Sequence, residues 1–494
     1  MPAQLKAKEI NCIVCAVKLL PTIKAKCIMV INYKTGLVLA LLLAVFNLSA
    51  REVQVLTVED FIRQVRQYHP VALQANLIVE KAEASLLSAK GGFDPVFDMD
   101  VNNKTLDGTN YYNYNNAEIK VPTLIGVDVK AGYENSNGVY KNPELTNGVA
   151  SYLGIEISLL NGLLTDKKRA GLQQAKIYMN QGSQERLSMI NDLLFEAYMT
   201  YWQWAASYQL FKTYTNYVTI ATNRARLVEI TFRNGDRSMA DTIEAFTQLQ
   251  NFQLMQQDAL VKYKNKTLDL SKYLWTEETN PYILPGWYIP DTSHFERLLP
   301  LKNLDLLTGQ LAQTHPELRT YEYKLEILEV ERRLKFQSLL PSVTLKANLL
   351  SKDYFDYKGL DAAFLENNYK LGLGIQMPIL VRKGRGDYKM TKIKLRETSL
   401  QQSDKLWQLQ NKMGQYYNEA VIRQEQIQVA LSMFKNYMAL LKFEELRFSQ
   451  GESSLFFINS RENKTLEIQQ KLIELRLKYL EAVYAIDWTG GLNR

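Results

Sequence analysis

Cysteine is nearly missing from this chain of 494 residues: there are three, and none lies beyond Cys27. The rest of the chain therefore makes no disulfide with itself. Cys12 and Cys15 form a lone Cys-x-x-Cys with no second pair at zinc spacing, so they do not read as a metal or redox site. Histidine is as scarce, with His69, His294 and His315 alone. A glycine-rich phosphate loop, a metal-ligand cluster and a nucleophile elbow are all missing. No cofactor is called for, and an enzyme reading has little to stand on. Asp94, Asp98 and Asp100 cluster in sequence but read as a solvated face rather than an acid–base pair. Charge of one sign is also lacking. The chain carries 59 Lys and Arg against 52 Asp and Glu, but six of the lysines and one glutamate fall in the first 50 residues. What remains is close to neutral, which excludes a nucleic-acid surface.

Long apolar runs are missing too, apart from Gly36–Phe46. That run follows Lys34 and ends at Leu48-Ser49-Ala50. A basic flank, an apolar run of about 11 residues and a small-residue exit describe a secretory signal peptide. The run is too short for a comfortable membrane-spanning helix. Cleavage is expected to expose Arg51, with Met29 as the natural start of the signal. No cysteine follows the cut to accept a lipid anchor.

What is present is periodic. From about Gly162 to Trp275 the chain reads as one very long helix, a turn at Asn234-Gly235 and a helix running back. Leu187, Ile190, Leu194, Ala197, Tyr201, Trp204, Tyr208 and Phe211 step by three and four, a heptad seam that continues through Val218 and Ala225. At about 1.5 Å per residue this helix is on the order of 100 Å long, deeper than a globular core. Met189, Leu193 and Tyr198 form a second stripe, as a closed ring of helices or an ordinary coiled coil would require.

The order of elements then recurs. A helix from Leu56 to about Lys90 contains His69-Pro70, and its later counterpart contains His315-Pro316. Both histidines read as helix-packing residues. Strand alternation follows at Pro95–Val101, Ile119–Tyr133 and Val149–Leu159, with a turn-rich Asn, Tyr and Gly segment in between. In the second half, Val343, Leu345, Ala347 and Leu349 oppose Thr344, Lys346 and Asn348. Leu371, Leu373 and Ile375 oppose Lys370, Gly372, Gly374 and Gln376. A long helix from about Asp387 leads to a turn at Gly451, and the return helix keeps a seam at Ile468, Leu472, Leu475, Tyr479, Ala482 and Ile486. Gly154–Leu160 parallels Gly374–Leu380, and Phe232–Ser238 parallels Phe448–Ser454. The organisation read from this is a leader (1–50), a first repeat (51–279), a Pro-rich connector (280–302) and a second repeat (303–494).

Strands with one apolar and one polar face suit a barrel with lipid outside and water inside, and equally a soluble antiparallel sheet with one buried face. Four or five strands in one chain cannot close a useful lumen, so several chains would have to contribute. Two functional classes follow: a passive transport duct, or a secreted structural or adhesive coiled-coil protein without a pore.

The duplicated order of His-Pro helices, strands ending at Leu160 and Leu380, and aromatic-x-x-Gly-x-x-Ser turns resembles the TolC family of outer-membrane efflux proteins over residues 51–490. The resemblance implies a mixed α/β membrane protein built from two internal repeats. It implies a homotrimer with a 12-stranded outer-membrane β-barrel, continued by a long periplasmic α-helical coiled-coil tunnel. It further implies an efflux or type I secretion duct whose tip meets a periplasmic adaptor and an inner-membrane pump. Thr344, Lys346, Lys370 and Gln376 would then face the lumen, and the opposite face the outer-membrane lipid. Gly235, Asp236, Ser238, Gly451, Glu452 and Ser454 would form the adaptor-facing tip, with Ser238 and Ser454 capping the return helices. Asp241, Glu244 and Phe448 fall at the gate. Three copies would place six carboxylates around one aperture, a ring that concentrates cations and binds divalent ions; the bland alternative is an acidic first helical turn that favours the helix dipole. The chain departs from the family in the extra strand-like segment at 119–133 and in Phe448, Phe457 and Ser460, which stand where the second repeat usually has its tyrosine and aspartates.

Overall fold

The computed structural model describes residues 53–139, 148–162, 165–293, 295–352 and 367–493. The leader with its three cysteines, the expected cut at Arg51, and His294 lie outside the described residues. No helix among the described residues is long and apolar enough to cross a membrane.

Among the described residues both halves run from short helices through strands to a long helical hairpin, but the first half has four strands of the large sheet and the second two. In the first, strand β1 (Gln54–Leu56) and helices α1 (Val58–Tyr68) and α2 (Pro70–Gly91) lead into strands β2 (Val96–Leu106), β3 (Thr109–Pro122), β4 (Val127–Asn137) and β5 (Gly148–Ser158). Helix α3 (Lys167–Arg233) follows, 67 residues long, and α4 (Met239–Ser271) returns along it. Strand β6 (Tyr288–Pro290) lies in the connector. The second half has α5 (Leu304–Thr314), α6 (Pro316–Gln337), β7 (Ser342–Ser351), β8 (Tyr369–Gln376), the 68-residue α7 (Arg382–Ser449) and α8 (Leu455–Thr489).

Both His-Pro pairs break a helix expected to be continuous. Proline fixes its own φ, lacks an N–H and pushes the preceding residue into extended backbone, so it starts a helix well and continues one badly. His69 (φ −68°, ψ 133°) ends α1 and caps α2, its Nδ1 accepting from the Val71 N–H at 3.2 Å. His315 (φ −72°, ψ 123°) does the same between α5 and α6, accepting from the Glu317 N–H at 3.3 Å. These histidines are structural caps.

The seam on α3 is buried at its centre and at Ala225, while Leu187, Tyr208, Phe211 and Val218 are half-buried. Ile190, Leu194, Ala197, Tyr201 and Trp204 are in the core, and the second stripe joins them through Leu193, with Met189 and Tyr198 packed alongside. Phe61 and Val65 of α1, Ala72 and Ala75 of α2, and Leu270 of α4 complete this cluster. Ala82 and Gly182 let α2 and α3 approach closely: a Cβ on Gly182 would lie 3.2 Å from that of Ala82. The connector is no loose linker. Strand β6 pairs in parallel with β1, and Leu284 and Phe295 are buried in the same cluster. The Tyr201 hydroxyl ties these pieces together, donating to the Leu56 carbonyl at 2.7 Å and accepting from the Asp291 N–H at 3.3 Å. The α8 seam is buried from Leu472 to Ile486, against α7 residues such as Leu409, Met413, Ala420 and Ile427.

The sheet holds more strand than the alternation suggested. The run at 119–133 is two strands, β3 and β4, joined at Thr123–Gly126, and the Asn- and Tyr-rich segment before it is β2 turning at Asp107-Gly108 into β3. One chain therefore contributes six strands in the order β2-β3-β4-β5-β7-β8, each pair antiparallel. Polar side chains on both faces of residues 102–118 hide the period of two that apolar residues would reveal.

Burial lowers the pKa of His69, outweighing a backbone hydrogen bond that raises it. The neutral ring is also what the cap requires, since a protonated Nδ1 accepts nothing. The unfolded chain binds the proton more readily, so this contribution is present above pH 6.5 and is lost as pH falls through the lowered folded value. The thermal midpoint should fall below pH 6.5. His69→Asn, which keeps a capping acceptor, should flatten that slope; an unaltered slope would show that His69 does not set it.

Candidate functional site

Each long helix reverses at a glycine. Gly235 takes φ +88° and Gly451 φ +81°, a left-handed conformation that only glycine adopts freely. The helix ends are closed alike: the Asp236 N–H donates to the Thr231 carbonyl at 3.0 Å, and the Glu452 N–H to that of Arg447 at 2.9 Å. Asp236 and Glu452 are exposed. The return helices start differently. Ser238 makes a capping box with Asp241: the serine oxygen accepts the Asp241 N–H at 3.1 Å and the carboxylate accepts the Ser238 N–H at 3.2 Å. Ser454 is at the N-cap of α8 but its side chain caps nothing, contrary to expectation. Its neighbour Ser453 donates its hydroxyl to Glu444, a carboxylate only 8% exposed that needs a donor.

The two turns meet. The Arg237 guanidinium lies 4.1 Å from the centre of the Phe448 ring and donates to the Phe448 carbonyl at 3.3 Å. Beneath them Ala225, Val228, Ala245 and Leu455 form a small core against which Phe448 packs. Phe448 thus has a cationic partner across the tip in place of a hydroxyl contact. Arg237 was not singled out from the sequence. Its signal was a cation in one turn and an aromatic in the matching turn.

Asp241 and Glu244 share the first turns of α4, as their spacing implied, but are held separately. Asp241 belongs to the capping box, while Glu244 reaches α8 and accepts from the Asn459 amide at 3.1 Å. Glu244 and Asn459 also line an open cleft of about 770 Å³ with Ile243, Phe456, Lys464 and Glu467. One turn deeper, Arg224 of α3 makes two hydrogen bonds to Glu462 of α8, at 2.6 and 3.1 Å. The Glu462 side chain is 1% exposed, so it depends on this partner.

At the strands, register places the lumen and lipid candidates on opposite faces. Phe97, Ile119, Ala131, Leu153, Leu349 and Tyr369 form one row across all six strands, and Val121, Val129, Ile155, Ala347 and Leu371 form the next. This face is apolar and open. The other face carries Lys346, which pairs in register with Glu156, together with Thr344, Lys370 and Gln376. Its centre is an ion-pair network: Lys120 lies 2.9 Å from Asp128 and 3.6 Å from Glu156, and Lys130 lies 2.5 Å from Glu156 and 3.8 Å from Glu118. The Tyr152 hydroxyl donates to Glu118 at 2.7 Å. Lys120, Lys130, Glu118 and Glu156 were not singled out from the sequence; the alternation from Lys120 to Lys130 was the available signal.

Removing one partner of a buried ion pair strands the other. Arg224→Met should lower unfolding stability by about 3 kcal/mol, read from denaturant midpoints. Adding Glu462→Gln should recover much of that loss. Equal midpoints for the single and double variants would show that the stranded charge is not the cause.

No protein-family profile and no curated protein matches the sequence. Solved structures do. The chain is similar to the Campylobacter jejuni CmeC outer membrane channel, with 14% identity, 88% of this chain and 86% of that chain covered, and a TM-score of 0.61. It is similar to the Vibrio cholerae outer membrane protein VceC at 14% identity, with 88% and 96% covered and a TM-score of 0.60. It is similar to the open state of the Neisseria gonorrhoeae MtrE outer membrane channel at 12% identity, with 88% of each chain covered and a TM-score of 0.61. At such identities the fold is what is shared. The chain has the fold of outer-membrane channels.

Proposed function

We propose that this protein is an outer-membrane efflux channel, a homotrimer that passively conducts cargo delivered by a periplasmic adaptor and an inner-membrane pump of an efflux or type I secretion system. The chain would be two repeats, 51–279 and 303–494, joined by the folded connector. The observation that carries the reading is the six-stranded sheet with one continuous apolar face left open. Leu371, Leu373 and Ile375 are 63%, 63% and 68% exposed there. Contiguous exposure of this kind calls for lipid or a partner. Ion pairs and lysines on the opposite face suit a water-filled lumen.

The helices carry the same demand. Leu254, Val261 and Leu268 of α4 are exposed at intervals of seven, as are Ile393, Leu400 and Trp407 of α7. Such stripes are coiled-coil seams without a partner in their own chain. Neighbouring copies would cover them and close the helices into a tunnel. A pore-free coiled-coil protein would use the stripes too, but it gives the open apolar face of the sheet no purpose. The glycine turns form the tip opposite the sheet, where Asp236 and Glu452 are exposed to meet an adaptor, Glu452 lying 4.0 Å from the Arg447 guanidinium. Asp241 and Glu244 sit beside them at the aperture.

A charge on the lipid side of such a barrel is unfavourable by roughly 2–4 kcal/mol at the bilayer midplane. Leu373→Arg should therefore reduce the trimer recovered by detergent from outer membranes far more than Gln376→Arg. Equal losses, or recovery of the wild type as a soluble monomer, would sink the membrane reading. Reversing charge at Asp236 and Glu452 together should preserve trimer yield but restore drug sensitivity in a complemented strain. Undiminished resistance would mean that the tip does not dock through these residues.

A further inference from the structure

The sheet ends at β2 on one side and β8 on the other among the described residues. Every neighbouring pair is antiparallel, so the first and sixth strands run in opposite directions. A second copy laid beside the first brings its β2 to this β8 in an antiparallel sense, which continues the sheet without a break. An odd number of strands would not do so.

The edges are short of neighbours on the lipid side. Phe97 and Met99 of β2 are 65% and 63% exposed, whereas Val129, Leu153 and Ile155 on inner strands of the same face are 36–38% exposed. The edges also differ in charge on the other face. Strand β2 presents Asp98, Asp100 and Lys104, all exposed and acidic in balance, and β8 presents Lys370. Acid on one edge and a cation on the other complement each other between copies.

We propose that β2 of each copy pairs with β8 of the next, so that all six strands of each chain enter the barrel and three copies close one of 18 strands. This rests on the trimeric channel proposed above and revises the 12 strands implied by the family resemblance. Barrel circumference grows roughly in proportion to strand number, so the lumen has about 1.5 times the circumference and about twice the cross-section of a 12-stranded one at equal tilt. The barrel is then a wide outlet. Selection by size falls to the helical tip.

The alternative closure leaves β2 and β3 outside and brings β4 against the neighbouring β8. Paired cysteines separate the two in the full-length trimer with Cys12, Cys15 and Cys27 replaced by serine. One set combines Val96→Cys, Asp98→Cys, Asp100→Cys or Asn102→Cys with Lys370→Cys, Gly372→Cys, Gly374→Cys or Gln376→Cys. The other combines Lys130→Cys or Glu134→Cys with the same β8 positions. Oxidation of detergent-purified trimer should give covalent dimers and trimers from the β2–β8 set and only monomers from the β4–β8 set. An intact trimer without β2–β8 cross-links overturns the 18-stranded closure while leaving the channel in place. Loss of the trimer from the wild type overturns both.

Discussion

Burial of one aromatic segment in the middle of α3 holds the molecule together. Tyr201, Trp202 and Trp204 are at most 1% exposed, and each meets a different part of the chain. Tyr201 binds β1 and the connector, Trp202 packs beside Phe295 and Tyr484, and Trp204 donates to Thr267 of α4 at 2.9 Å. Large aromatic side chains suit this place because each buries much area, and the Tyr201 hydroxyl and the Trp204 indole N–H also reach fixed partners. A helix on the order of 100 Å long would otherwise contact its neighbours too thinly to set one register.

On this anchor the two halves take one plan. Helices of nearly equal length turn at Gly235 and Gly451, and the tip closes where Arg237 covers Phe448 and Arg224 binds Glu462. Most polar groups at the tip are engaged within the chain. Asp236 and Glu452 are at the surface, Glu452 within 4.0 Å of the Arg447 guanidinium. At the other end the sheet is the reverse: its charged face is satisfied internally by Lys120, Lys130, Glu118, Asp128 and Glu156, and its apolar face is open. These charges lie within hydrogen-bonding or ion-pairing reach of one another across three adjacent strands, so the face is polar without depending on an outside partner.

Much of this was legible in the sequence, for an identifiable reason. A heptad seam from Ile190 to Trp204 and the alternation in β7 and β8 both arise from burial on one side, and one-sided burial leaves a period. Glycine at the turns and histidine before proline are local backbone constraints that act wherever they occur. The 102–118 segment failed this test because its Asn and Tyr residues leave neither face apolar, so the second half of β2 and most of β3 were hidden. Ser454 is at the N-cap position but makes no cap bond, and the hydroxyl engaged beside it is that of Ser453, on Glu444.

The sequence by itself determined two long helical hairpins, one-sided strands and a near-neutral, cysteine-free chain beyond the leader. Local dihedral preference and one-sided burial suffice for those. Only the tertiary structure decided which residues meet across hundreds of positions. The pairing of Arg224 with Glu462, the stacking of Arg237 on Phe448, the folding of the connector into the core, and the row of six strands in one sheet are all of this kind. Contacts between segments far apart in the chain leave no period within either segment, and three-dimensional packing alone brings them together.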